Sequence, residues 1–218
     1  MLQLPNRIEK MRDFVSDIAF SSTVKKVQQE NGSRSSYAKM EQGVGWQNSV
    51  DQRLSNFIEQ RDSLYFGTAN AEGQPYIQHR GGPKGFLKVL DDKTLAFADY
   101  SGNMQYITVG TLRENNKAYI FLIDYPTRTR MKIWGTAKVV EDDAELLAQL
   151  HSSDYKAKLE RAIVFTVEAW DVNCPQHIQQ RFTMEELQPE FDKLKNRINE
   201  LEAELSQVVK ENDILINQ

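Results

Sequence analysis

The residues best suited to holding a ligand cluster between positions 73 and 88, in the run GQPYIQHRGGPKGFLK. His79, Arg80, Lys84 and Lys88 stand here around Gly81, Gly82 and Gly85. Glycines let a backbone approach a ligand closely, and exposed N–H groups beside Arg or Lys make an anion site. A guanidinium adds a planar fork suited to phosphate oxygens. The run contains neither GxxxxGKS/T nor a GxGxxG opening a helix, so it is not one of the common nucleotide-binding loops. A polar turn between two strands, with its charges in water, accounts for the same residues.

Three other stretches carry chemistry-bearing side chains. In DYSGNMQYITVG, Asn103 and Gln105 sit where a loop meets a helix, and a helix N-terminus favours anions through its free N–H groups and dipole. Plain capping by Ser101 or Asn103 explains that local sequence too. In RTRMKIW, alternation sets Arg128, Arg130 and Lys132 on one strand face and Met131 and Ile133 on the other. Three like charges on one face repel unless an anion or acidic partner offsets them; protection of an edge strand is the alternative use. In WDVNCPQHIQQRF, Trp170 offers a stacking surface, with Cys174, His177 and Arg181 following. No third group orients Cys174 and His177 as a nucleophilic pair, and no metal-ligand spacing is present, so Cys174 reads as a small apolar residue.

These residues need a scaffold, and the pattern supplies one. Residues 1–60 read as mainly helical: a helix from about Thr23 to Glu30, capped by Ser22 and ended by Asn31-Gly32, then NGSRSSYAKMEQGVGW, loop-like at both ends. The amphipathic helix SVDQRLSNFIEQRD follows, with Val50, Leu54, Phe57 and Ile58 on one stripe. From Ser63 the period changes to that of strands. A hairpin turns at Glu72-Gly73, a second at Asp91-Asp92-Lys93 and a third around Tyr125-Pro126-Thr127. A short helix separates the second and third, and another occupies 142–150 before the last strand, RAIVFTVEAWDV. The long strand after Arg128 has to bend, and Gly135 is the place for it. Six or seven strands in this order predict a compact barrel with helices at its ends, a mainly β fold with α additions, and exclude regular strand–helix alternation.

From Leu187 onward apolar residues recur at alternating spacings of four and three: Leu187, Phe191, Leu194, Ile198, Leu201, Leu205 and Val208, then Asn212, then Leu215. That is a coiled-coil seam with one polar residue at an a position; an amphipathic helix packed on its own barrel is the other reading.

With 218 residues and a formal net charge of −4, the chain lacks the basic surplus of a nucleic-acid coat. A single cysteine, no signal-like N-terminus and no apolar run of membrane length predict a cytoplasmic protein.

Taken together, QHRGGPKGFLKVLD, the FADYSGN and QYI runs, and WDVNCPQHI resemble the FMN-binding split-barrel family that includes pyridoxamine 5'-phosphate oxidase, over roughly residues 50–182. The resemblance implies FMN at a homodimer interface. It implies that the strand Gly85 to Val89 passes the flavin with Lys88 at the family's lysine position, and that Arg130 stands where the family has a glutamine near the ring. Trp170 and Arg181 match the family's C-terminal Trp and Arg, one residue further apart here. The family's phosphate-holding Ser-Arg-Lys triplet is replaced by Asn103-Met104-Gln105, which either transfers the phosphate to Arg80, Lys84 or Arg128, with Asn103 and Gln105 as hydrogen-bonding groups, or weakens flavin binding. The contacts to a vitamin phosphate are not reproduced. The resulting expectation has three parts: a helical segment 1–49, a split-barrel flavin domain 50–183 and a coiled-coil helix 184–218. The function expected is that of an FMN-dependent oxidoreductase acting on a small molecule, without metal, nucleic acid or membrane. The alternative is a non-catalytic carrier or sensor of flavin, deazaflavin or haem that recruits a partner through its coil.

Overall fold

In the stretch from Lys117 to Asp124, alternate residues Ala118, Ile120 and Leu122 are buried while their neighbours are not, the signature of a strand with one face on a core. The structure, a computed structural model, describes residues 12–172 and 175–216. Its strands are β1 (Ser63–Ala69), β2 (Pro75–Gly81), β3 (Lys88–Val89), β4 (Thr94–Tyr100), β5 (Lys117–Asp124), β6 (Thr129–Val140) and β7 (Leu159–Val172). Its helices are α1 (Ser22–Glu30), α2 (Arg34–Gln42), α3 (Gln52–Glu59), α4 (Ile107–Glu114), α5 (Ala144–Leu150) and α6 (Met184–Ile216), preceded by a single 3-10 turn at Val15–Ile18. Among the described residues no helix is long and apolar enough to cross a membrane.

All seven strands form one antiparallel sheet in the order β2-β1-β5-β6-β7-β4-β3. β2 and β4 lie near opposite ends of that order, yet Arg80 of β2 is ion-paired with Asp99 of β4. Likewise Phe66 of β1 and Phe97 of β4 meet edge to face at 5.5 Å. Such contacts require the sheet to curl until its ends approach, a barrel left open between β2 and β3. Phe66, Phe97, Phe165, Leu64, Leu95 and Ile133 fill its interior. Burying residues of this size contributes roughly 1.5–3 kcal/mol each.

The bend falls where the glycine stands. Pairing of β6 with β7 slips at Trp134/Gly135. A Cβ on Gly135 would lie 1.9 Å from the Thr166 carbonyl oxygen and 2.8 Å from the Phe165 ring, so the two strands approach more closely than any side chain allows. α3 closes one end of the barrel through Leu54 and Ile58, both fully buried, with Phe57 and Val50 packed alongside; Asp51 caps it by accepting from Leu54 N at 2.8 Å. α5 is capped in the same way by Asp143.

Three local expectations shift. Ser21, not Ser22, caps α1, accepting from Val24 N at 3.3 Å. The stretch between α1 and α3 contains a full helix, α2, whose buried Glu41 pairs with Arg34 and accepts from Ser16 Oγ at 3.1 Å. A buried carboxylate so satisfied steadies a helix with little apolar face. The Asp91-Asp92-Lys93 hairpin is present, but β3 is only two residues long.

Residues Tyr125–Arg128 and 177–216 form a second compact unit. Within it, Arg181 lies over the Tyr125 ring at 4.7 Å and Gln180 Nε2 donates to the Pro126 carbonyl at 2.8 Å. α6 starts from a reciprocal cap between Thr183 and Glu186, and Pro189, its sixth residue, lies inside the helix, where it removes one backbone hydrogen bond to the Glu185 carbonyl.

On the barrel surface Lys117 and Arg12 both hold Glu168, at 2.9 and 2.8 Å. Burial raises this carboxyl, but the hydrogen bonds and charges of Lys117 and Arg12 outweigh it and hold the group below the ordinary glutamate range. A depressed folded-state pKa contributes stability above the unfolded value and loses it as pH falls through the folded one. Glu168→Gln is therefore expected to be less stable than the parent at neutral pH, by under about 1 kcal/mol for this part-exposed cluster. The two melting curves are expected to converge as pH drops below the glutamate range.

Candidate functional site

Asp99 ends β4 as the last inward residue of an otherwise apolar strand, and it is only 5% exposed. A carboxylate so placed needs a counter-charge. It receives two. Arg80 from β2 pairs with one oxygen, and Arg161 from β7 lies 3.4 Å from the other. Arg161 is further held by Glu160 at 3.0 Å, and its guanidinium lies over the Tyr106 ring at 5.2 Å. These groups line one small cleft of about 50 Å³, open to solvent, together with Gln78, Tyr100 and the loop from Gly102 to Tyr106.

The cleft leads to the start of α4. Met104 and Tyr106 both adopt left-handed backbone angles, φ +56 and +53, uncommon for residues with a Cβ and found where a loop must present its backbone in a particular direction. Tyr106 precedes α4, and no side chain caps the helix. Its first N–H groups are unmet by a side chain, and Ile107 and Thr108, which carry them, line the cleft at the positive end of the helix dipole. Gln105 N donates to Asn103 Oδ1 at 3.3 Å, and Thr108 Oγ1 donates to Gln78 Oε1 at 2.8 Å, which fixes the loop and β2 around the opening. The capping of α4 by Ser101 or Asn103 is not what forms.

The charges in the lining balance: Arg80 and Arg161 against Asp99 and Glu160. An anion here would be held by directed N–H groups more than by surplus positive charge. Two buried guanidinium nitrogens, Arg80 Nε and Arg161 Nε, have no hydrogen-bond partner. Arg161 Nε does lie 3.2 Å from Glu141 Oε1, but without the alignment of a hydrogen bond; the contact is coulombic. Burial, and then neighbouring Tyr155, raises the Tyr100 hydroxyl, so it stays protonated as a neutral donor at the rim.

Of the residues singled out by sequence, Arg80, Asn103 and Gln105 come together in this cleft. Lys84 and Lys88 do not line it and are exposed on the turn and at β3. The glycines beside them serve packing instead of an anion. Gly82 N and Gly85 N donate to the Asp62 and Arg61 carbonyls, both at 2.9 Å, and a Cβ on Gly82 would lie 2.7 Å from that of Phe86. Arg128 is not on β6. It sits in the preceding turn with φ +54, its N–H donating to Tyr125 O, and like Arg181 belongs to the second unit. Arg130 and Lys132 are half-buried on one face of β6, with Met131 and Ile133 buried on the other, and Asp171 offsets Lys132 at 2.8 Å. Trp170 is 4% exposed in the core, and its indole N–H donates to the Ser49 carbonyl at 2.7 Å, so its ring is a packing element and not a stacking surface. Cys174 lies outside the described residues.

Arg161, Asp99 and Glu160 escaped the sequence reading. The one available signal was three charged residues bordering apolar runs, at the end of LAFAD and the start of ERAIVF. A buried strand tolerates such residues only where they find partners.

A search of curated proteins returned no significant match. Among solved structures the chain is similar to tagged HupZ from Group A Streptococcus, at 21% identity over 57% of this chain and 99% of that one, TM-score 0.44. It is similar also to a proposed pyridoxamine 5'-phosphate oxidase from Lactobacillus delbrueckii (21%, 57% and 95%, TM-score 0.45). A third is an FMN-binding protein from Syntrophomonas wolfei (12%, 67% and 97%, TM-score 0.46). The family model for pyridoxamine 5'-phosphate oxidase matches residues 50–178, from just before α3 to just past β7, more than half of the chain. With a seven-stranded curled sheet spanning that same region, the chain belongs to the pyridoxamine 5'-phosphate oxidase family of split-barrel, FMN-binding proteins.

Proposed function

We propose that this chain binds FMN, with its phosphate in the cleft at the start of α4, and acts as an oxidoreductase on a small molecule. The observation that carries the reading is the convergence of Arg80 and Arg161 on the uncapped helix start. The donor set suits a phosphate. Backbone N–H groups at a helix start, two guanidiniums, and the Asn103 and Gln105 amides are all donors of the kind phosphate oxygens accept. This replaces the Ser-Arg-Lys solution of the family with one in which the cations come from β2 and β7. Asp99 keeps both guanidiniums oriented, Tyr106 packs under Arg161, and Gln78 ties β2 to α4. When bound, FMN supplies hydride and electron transfer, chemistry no side chain of this cleft provides. A homodimer through the barrel is part of the proposal, since the family's flavin lies between two subunits.

The test is the visible spectrum of freshly purified protein, followed by heat release and identification of any chromophore, then titration with FMN. Flavin bands with FMN released, together with reduction of the bound flavin by an added pyridine nucleotide, are the expected outcome. Flavin that is bound but neither reduced nor reoxidised in step with any substrate would favour a carrier. A protein that takes up no FMN would overturn the assignment.

A further inference from the structure

Along α6 the side chains of Phe191, Leu194, Ile198, Leu201, Leu205 and Val208 are 46–64% exposed, a continuous apolar stripe left in water. A stripe this narrow and regular has the period of a helix pair. We propose that α6 pairs with α6 of a second copy of this chain as a parallel, in-register, two-stranded coiled coil.

The charged residues beside the stripe select that partner and that direction. With Phe191, Ile198, Leu205 and Asn212 at a and Leu187, Leu194, Leu201 and Val208 at d, the g positions are Glu190, Arg197, Glu204 and Glu211. The e positions include Lys195, Glu202 and Val209. In a parallel pair each g residue meets the e residue five positions later on the other helix. Glu190 then meets Lys195 of the second copy, and Arg197 meets Glu202. Each attraction occurs twice by symmetry. Glu204 meets the uncharged Val209, so these heptads set no like charges against each other. The helix is thus complementary to itself. Arg197 now holds Glu200 of its own helix at 2.9 Å, but at more than half exposure it needs only a rotamer change to cross the seam.

Asn212 fixes the direction independently. It is exposed in the single chain and falls at an a position. In a parallel in-register pair it faces Asn212 of the second copy, amide against amide. In any antiparallel pair an a residue faces a d residue, and every d residue from Leu187 to Leu215 is apolar. The amide would then be buried without a partner. Leu194 and Leu201 at d around the β-branched Ile198 at a is also the combination that favours two strands.

The experiment uses the full chain with Cys174→Ser, so that introduced thiols are the only ones. Leu201→Cys places two thiols face to face across a parallel seam. Under a glutathione redox buffer it is expected to give a covalent dimer as the main species, whereas Ala203→Cys, on the outer face of the helix, gives little. Adding Arg197→Glu to the Leu201→Cys chain turns both attractions with Glu202 into repulsions and is expected to lower the equilibrium yield roughly ten-fold. Arg197→Glu with Glu202→Arg restores it within one preparation, but such chains mixed with unreversed ones form few mixed dimers. Equal yields from Leu201→Cys and Ala203→Cys overturn the proposal. So does efficient crosslinking between Ile198→Cys and Leu201→Cys chains with little within either, which marks an antiparallel pair. None of these readings depends on flavin.

Discussion

Neutralising the buried charge cluster of the cleft, by Arg80→Gln, Arg161→Gln and Asp99→Asn together, is expected to weaken FMN binding by about two to four orders of magnitude. Each guanidinium lost removes a charge-assisted interaction worth roughly 1.5–3 kcal/mol. Removing the arginines alone would confuse the result, because Asp99 would remain buried and uncompensated, a change that destabilises the fold by about 3–5 kcal/mol. Removing Asp99 with them leaves no buried carboxylate uncompensated, only Glu160, whose side chain is 20% exposed, and Asp99→Asn alone, which retains both arginines, is the control. Fluorescence quenching of FMN titrated into each variant, with a thermal melt to verify folding, measures the effect. Unchanged affinity in the folded triple variant would place the phosphate elsewhere. Lys84→Ala is expected to change affinity little, since that side chain stands outside the lining.

Gly135→Ala is the second large effect, and it acts on the scaffold. The added methyl would overlap the Thr166 carbonyl oxygen at 1.9 Å and two carbons of the Phe165 ring at 2.8 and 2.9 Å. The ring could turn aside, but the carbonyl belongs to a strand paired on both sides by β6 and β4. Separating β6 from β7 here disturbs the central pair of the sheet. A loss of about 3 kcal/mol or more is expected, lowering the melting temperature by roughly 6–12 °C. Gly110→Ala, where a Cβ meets nothing within 4 Å on a helix, is the matched comparison and is expected to be neutral or stabilising. A Gly135→Ala melt within a degree or two of the parent would mean that the bulge relaxes freely.

These two sites differ in how far sequence could reveal them. Gly135 was visible because a strand too long to stay straight had a single glycine inside it. The α3 stripe and the α6 seam were visible because periodicity survives without knowledge of what lies opposite. Asp99 and Arg161 were not. Their meaning depends on β4 and β7 being paired and on β2 being carried round to meet them, relations between residues 19 to 81 positions apart. The reverse error has the same origin. Gly81, Gly82 and Gly85 have the composition of an anion-binding turn, and only the tertiary structure shows Asp62 and Arg61 already using the N–H groups of the last two. Trp170 matched a ligand-facing position by resemblance, but the Gln47 to Ser49 segment lies over it, pairing with its backbone and accepting its indole proton.

The strand order also has a consequence for the chain while it is being made. The run LAFA in β4 finds its full-length partner only in β7, with Phe97 opposite Ile163; the earlier partner, β3, is two residues long. On the ribosome this sticky segment therefore waits for more than 60 further residues before it can be covered. Until then Leu95 and Phe97, fully buried in the finished barrel, have only local cover. Productive synthesis accordingly places its greatest demand on chaperones between the emergence of residue 100 and that of residue 172. Pausing in that interval would feed aggregation more than pausing anywhere in α6.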